Sequence, residues 1–428
     1  MMDASLQTAA ETALALMRAQ GFEHAQVSAS FSQQDELNIA DNQVSLMRST
    51  TSQKMSLLGL VDGRKASTEL SEFEPDALRE RIKSLFADAK GAPQDAANAV
   101  STSQRARIVQ GPQQADLGLL ADKADELLKF RALHTPLMGL QESVSSHSLV
   151  QSHTLTTGGS DLQASVGWYS LNGFGTGKEG GKSSSFNYAG GNANDLSIMP
   201  AAEFFGLGEM MRDTSRQIQT QAVGNKFQGD VVLMPTAVED LLNWLLAQLS
   251  DMHLIAGSSL FRDKVGEVIA SPLLNLQSRF DGPGCAAMSP DAFATPPVTL
   301  LQAGQLQTLI PSLYASRKTA LPHVPTGAAG WDMAAGKTPR AQMVADVQRG
   351  ALVGRLSMGN PAPNGDFSSV IKNSFLIEGG IAGQALSETM ISGNIARMLH
   401  DVLAVSAERI DTGVLVLPWL RIGGLHFS

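Results

Sequence analysis

The chain has 428 residues, 43% of them hydrophobic and 17% charged, with a formal net charge of −9 and a pI near 5.4. That length holds two or three domains with sizeable cores, and the acidic balance argues against a nucleic-acid surface, because such a chain repels phosphate backbones. A single cysteine, Cys285, excludes an internal disulfide framework and an all-cysteine metal site, and fits a reducing compartment.

The N-terminal segment, residues 1–18, interrupts its apolar positions with Asp3, Glu11 and Thr12 and reads as an amphipathic helix rather than a signal sequence. No window offers the roughly 18 uninterrupted apolar residues of a membrane span, so a cytoplasmic protein is expected. Residues 25–32 alternate as a strand does. Asp41-Asn42 reads as a turn between two short strands, and a further strand runs from Lys54 into an Asp62-Gly63 turn. Leu78, Ile82 and Leu85 then recur on one helical face behind Pro75 and Asp76. This order of helix, strands and helix predicts an α+β layer rather than a doubly wound parallel sheet.

Residues 88–112 are rich in Ala, Gln, Ser and Pro and read as an exposed connector. A helix is predicted over 117–133, and antiparallel strands over 136–200. Near Gly224 the composition changes, and apolar strands then alternate with Gly- and Pro-rich turns. The predicted organisation is an N-terminal α+β domain, 1–222, and a β-rich C-terminal domain with a few helices, 223–428.

Several motifs carry structural explanations. Gly175–Gly180 matches G-x-G-x-x-G, but Gly-Lys-Ser-Ser-Ser-Phe follows where a dinucleotide fold needs a helix, so a hairpin loop is expected. Thr236 and Glu239 have the spacing of a capping box. Val238, Leu241, Leu242, Leu245, Leu246 and Leu249 behind them form a buried helical stripe.

No two of the eight histidines share a helical turn. His147 and His153 share a face only if one strand runs unbroken between them, and the sequence places no acid close by. Asp251 and His253 fall on different helix faces, and His400 reads as a helix-surface residue. Cys285 has only Asp281 beside it, which opposes a reactive thiolate.

The segments Gly257–Ile269, Tyr314–Lys318, Gly365–Ser368, Leu386–Asn394 and Val416–Gly424 occur in the order found in the TldD/PmbA family, which the second half resembles. The resemblance implies a cytoplasmic zinc metallopeptidase built from two related chains. One, of TldD type, carries H-E-x-x-x-H on a helix and a cysteine near its C-terminus. The other, of PmbA or TldE type, lacks the histidines.

Carried onto this sequence, the two histidine positions fall on Met234 and Glu239, the glutamate on Pro235 and the cysteine on Thr412. Zinc catalysis needs about three protein ligands and an open position, so neither catalytic nor metal-ligating residues are expected here. The resemblance implies a TldE-like subunit without a cofactor of its own, with zinc in a TldD-like partner, acting in proteolysis or maturation of extended peptides. A homodimer is a further possible assembly for the isolated chain, and a protein-binding regulator of gyrase or of a toxin–antitoxin pair is the alternative function. Arg262, Asp263, Lys264, Glu267, Asp366, Glu388 and Asn394 are polar residues of the family motifs, and the first four read as an ion network as readily as a functional group.

Overall fold

A computed structural model describes residues 2–286, 288–326, 330–387 and 389–428. The N-terminal part runs α1 (Met2–Gln20), β1 (His24–Ala40), β2 (Gln43–Val61), β3 (Arg64–Leu70), α2 (Pro75–Gly91), β4 (Arg105–Gln110) and α3 (Leu117–His134). It continues through β5 (Met138–Thr156), β6 (Asp161–Glu179), β7 (Lys182–Ser183), β8 (Asn187–Ala193), a 3-10 turn at Ala201–Gly206 and α4 (Leu207–Arg216). Among the described residues β1–β8 form one sheet, in the order β3-β2-β1-β5-β6-β4, with β7 and β8 attached to β6.

The strands are long because nothing breaks them: β1 contains neither Gly nor Pro, so the pair expected to be short runs to 17 and 19 residues. Both hairpin turns lie where expected. Asp41 and Asn42 have φ of 49° and 66°, and Asp62 and Gly63 have 49° and 69°. Two consecutive left-handed residues give a turn whose twist matches the flanking strands.

Ala25, Val27, Ala29 and Phe31 alternate inward on β1 and meet α1 and α2 through Ala10, Met17, Leu78, Ile82 and Leu85. A second cluster joins α3 to the far end of the sheet through Leu120, Leu127, Leu140 and Leu171. Strand β3 pairs with β2 only from Met55 to Val61, which leaves Gln43–Lys54 as an open edge among the described residues.

Residues 88–112 differ from the expected exposed connector. Helix α2 extends into them, Ala97, Val100 and Ser101 are buried, and β4 pairs in parallel with β6. The alternation of Arg-Ala-Arg-Ile-Val-Gln is a strand signal that the surrounding Ser, Gln and Pro obscured.

The C-terminal part contains β9 (Thr220–Gln221), β10 (Phe227–Leu233), α5 (Pro235–Leu249), α6 (Asp251–Ala256), β11 (Leu276–Arg279), β12 (Thr299–Gln302), β13 (Gln305–Leu306) and α7 (Leu313–Thr319). Then follow β14 (Gly330–Met333), α8 (Arg340–Ala345), β15 (Arg349–Val353), β16 (Arg355–Ser357), β17 (Asp366–Lys372) and β18 (Phe375–Glu378). The chain closes with β19 (Ile381–Leu386), β20 (Met390–Asn394), α9 (Ile395–His400), β21 (Val402–Asp411) and β22 (Leu415–Phe427).

These strands form the second, mixed sheet, and β9 already belongs to it by pairing in parallel with β19. The fold is α+β, with helices gathered on antiparallel and mixed sheets. No described helix is long and apolar enough to cross a membrane.

Helix α5 buries Val238, Leu241, Leu242, Leu245 and Leu249 of the predicted stripe against β10, β15 and β22, while Leu246 is only partly buried at its margin. Its start differs from the expected capping box. Met234 is the N-cap, Pro235 occupies the first turn, and no side chain caps the end. Proline supplies a preset φ and lacks an N–H to satisfy, so the helix begins at Pro235, one residue before Thr236.

Candidate functional site

Strand β10 is buried between β15 and β22, and it delivers the start of α5 to a cleft between the two sheets. The Met234 N–H donates to the Val353 carbonyl at 2.9 Å and fixes this corner. Pro235, Thr236 and Glu239 line a cavity of about 100 Å³ together with Tyr188, Phe205, Ile410 and Thr412. A smaller adjoining cavity of about 60 Å³ adds Met234, Glu209, Asp213 and Trp419, and shares Tyr188, Phe205, Pro235, Thr236 and Ile410 with the first. The positions 234, 235, 239 and 412 therefore converge on one continuous cleft, although 412 is far from the others in sequence.

Each of the four has a local reason for its residue. Thr412 sits between β21 and β22, where its Oγ1 donates to the Leu415 carbonyl at 3.1 Å and accepts from the Leu415 N–H at 3.2 Å, closing the turn. Its own carbonyl accepts from the Asn192 N–H at 2.9 Å, which ties the turn to the N-terminal sheet. Pro235 and Met234 start the helix. Glu239 is half-buried in the wall, and burial raises its pKa.

Two further acids near the cleft are shifted the same way. Burial pushes Asp240 up to about 6. It does the same to Asp213, where neighbouring Glu209 adds to the rise and Arg216 opposes it. Arg340, on α8 of the C-terminal part, donates to both oxygens of Glu209 on α4, at 2.9 and 2.7 Å. The Arg340–Glu209 pair joins the C-terminal part to the N-terminal part, and no local sequence pattern signals it.

Zinc does not fit the four family positions in this chain. Of the four side chains only Glu239 offers a carboxylate; proline has no donor, threonine is committed to its turn, and a lone thioether is a poor zinc ligand. Among the described residues no group of three or more His, Cys, Asp or Glu is placed to hold a metal.

The remaining sequence candidates are placed as follows. Strand β5 is unbroken, so His147 and His153 share a face, and both are buried. His147 Nε2 pairs with the Pro112 carbonyl and His153 Nε2 with Asp161, each at 2.8 Å, so an acid expected to be absent arrives from the neighbouring strand β6. The Cys285 thiol is buried and its pKa raised, mainly by that burial. The expected loop at 175–180 is the end of β6 and a Gly180-Gly181 hairpin turn into β7.

Asp366 and Asn394 meet across β17 and β20, where Asn394 Nδ2 donates to Asp366 at 2.9 Å while its Oδ1 caps α9. Arg262 donates to the Leu254 carbonyl, Lys264 pairs with Glu267 at the surface, and Asp263 is exposed. None of these faces the cleft, and Glu388 lies outside the described residues.

The Tyr314–Lys318 motif joins the two parts of the chain. Tyr314 and Lys318 both donate to Asp95, at 2.8 and 2.7 Å, and Arg317 donates to the Ala96 carbonyl. The Lys318 ammonium, the Ala97 N–H and the Tyr314 hydroxyl hold Asp95 down at about 2.

Residues 226–428 match the family described as the PmbA/TldA metallopeptidase C-terminal domain. TldE from Thermococcus kodakarensis is similar in structure, with a TM-score of 0.82 at 18% identity, covering 98% of this chain and 100% of that one. A protein described as a modulator of DNA gyrase, from Bacteroides thetaiotaomicron, gives 0.84 at 20% identity, over 99% of this chain and 98% of that one. One so described from Thermotoga maritima gives 0.78 at 14% identity, over 99% and 100%. At these identities the likeness is one of fold. No curated protein matches the chain significantly. The order of motifs and the matched domain agree: residues 226–428 form a C-terminal domain of the TldD/PmbA family.

Proposed function

We propose that this chain is a TldE-type, non-catalytic subunit of a heteromeric peptidase, whose zinc and hydrolytic residues reside in a TldD-like partner. One observation carries the reading: the four family site positions line a single cleft, and Met234, Pro235, Glu239 and Thr412 fill them with groups that cannot make a zinc site. The packing of the site helix is retained and its chemistry is gone. In this role the chain completes the chamber around the partner's metal and holds extended peptide.

Metal analysis and peptide cleavage test the proposal, on the isolated chain and on a mixture with a TldD-like chain from the same cell. The expected result is neither bound zinc nor cleavage alone, and zinc-dependent cleavage of an unfolded peptide in the mixture. Stoichiometric zinc with cleavage by the isolated chain would overturn it.

A further inference from the structure

Several arginines of the C-terminal part have carboxylate partners. Arg279 pairs with Asp411, Arg340 with Glu209, Arg409 with Asp332, and Arg421 with Asp230. Arg355 differs. Among the described residues it forms no ion pair or hydrogen bond, and its Nε is buried without a partner. The guanidinium lies 4.1 Å from the ring centre of Phe186 and 5.8 Å from that of Tyr188. Aromatic rings that cover the flat face of a guanidinium leave its in-plane N–H groups as the free recognition surface. Tyr188 also lines the cleft that contains positions 235, 239 and 412, so the cation stands beside that cleft.

A second, independent feature lies across the sheet. Strands β16 and β17 are antiparallel, and their register sets Arg355 directly opposite Lys372. Directly opposed like charges destabilise a strand pair. Lys372 too has no ion pair or side-chain hydrogen bond among the described residues, so two uncommitted cations occupy one spot. The field of Arg355 reaches Asp240, but that carboxyl accepts from the Leu356 N–H and makes no hydrogen bond to the guanidinium.

We infer that Arg355, supported by Lys372 and flanked by Phe186 and Tyr188, is an anion-binding point beside the cleft and takes a carboxylate of the bound peptide. The inference rests on the peptide-holding role proposed above. A planar carboxylate meets the guanidinium edge through two parallel hydrogen bonds, and the ammonium opposite adds charge without demanding geometry. The carboxylate has two sources with the same chemistry, the C-terminus of the peptide or an acidic side chain.

Fluorescence anisotropy on the isolated chain tests this with one labelled, unfolded peptide in four forms: C-terminal acid or amide, each with an internal Glu or Gln. The free carboxylate forms bind more tightly, and the form whose neutralisation weakens binding names the source. Arg355→Gln weakens the carboxylate form by about tenfold or more and leaves the neutral peptide unchanged. Arg355→Lys gives an intermediate loss, because it keeps the charge and removes the fork.

The melting temperature separates a binding role from a structural one. Removing one of two opposed cations leaves it unchanged or raises it, so a lower melting temperature with unaltered peptide binding would overturn the inference. Peptide binding that ignores both the carboxylate and Arg355 would do the same, as would no binding at all by a chain that supports cleavage in the mixture. Those results leave the subunit assignment standing, whereas zinc and cleavage in the isolated chain would remove it.

Discussion

The two walls of the cleft are held by different forces. On the C-terminal side, α5 is fixed by a stripe of leucines buried against β10, β15 and β22. On the N-terminal side, α4 docks through Glu209 to Arg340, and Arg216 stacks on Phe375 while pairing with Asp213. Apolar burial is non-directional and has no charge for salt to screen, whereas half-exposed ion pairs are screened and respond to pH. The wall built on α5 is thus held by apolar packing, and the opposite wall is fastened by charge.

The largest effect comes from breaking the apolar wall. Leu245→Ala is expected to cost about 2–5 kcal/mol, equally at low and high salt, in chemical denaturation. A strong salt dependence of that loss would show that the walls are not distinct.

Next in size is the response to pH. Asp213 and Asp240 titrate near 6 in the folded chain against a reference value of 3.8. Between those values the folded state binds more protons than the unfolded one, so their contribution makes stability fall as pH rises through that window. Thermal melts are expected to show greater destabilisation between pH 5 and pH 7.5 in the native chain than in Asp213→Asn or Asp240→Asn. An unchanged pH profile in both variants would remove these acids from the account.

The smallest effect is that of Arg340→Met. Both partners of this pair are about two-fifths exposed, Arg340 at 43% and Glu209 at 40%, so the expected loss is about 1 kcal/mol or less. It should shrink further as salt rises, which melts at two ionic strengths would show. A loss as large as that of Leu245→Ala would mean that charge, too, holds a rigid wall.

What the sequence revealed depended on how local the cause was. The Asp41-Asn42 and Asp62-Gly63 turns were readable because the residues themselves favour left-handed backbone. The stripe of α5 was readable from its period, yet its start was misplaced, because a proline immediately before a good capping pair is the stronger signal. Strand β4 was lost in a polar stretch. Position 412 joined positions 234–239 only through the family resemblance, since no spacing rule links a hairpin turn to a distant helix. The Glu209–Arg340 pair could not be picked out among 32 basic and 41 acidic residues, because charge complementarity without topology is unspecific.

The open edge of β2 governs how the protein behaves in a test tube. Along Gln43–Lys54 a row of backbone donors and acceptors is left to be matched by whatever strand arrives. The exposed Val44, Leu46 and Met47 reward any strand that stays. Arg48 and Lys54 interrupt that row with charge, although each is paired with a carboxylate, Arg48 with Glu36 and Lys54 with Glu69. The net charge of −9 keeps copies apart, and that repulsion weakens as salt screens it. Concentrating the protein in strong salt therefore removes the main barrier to sheet-to-sheet polymerisation, and dilute buffer keeps it dispersed.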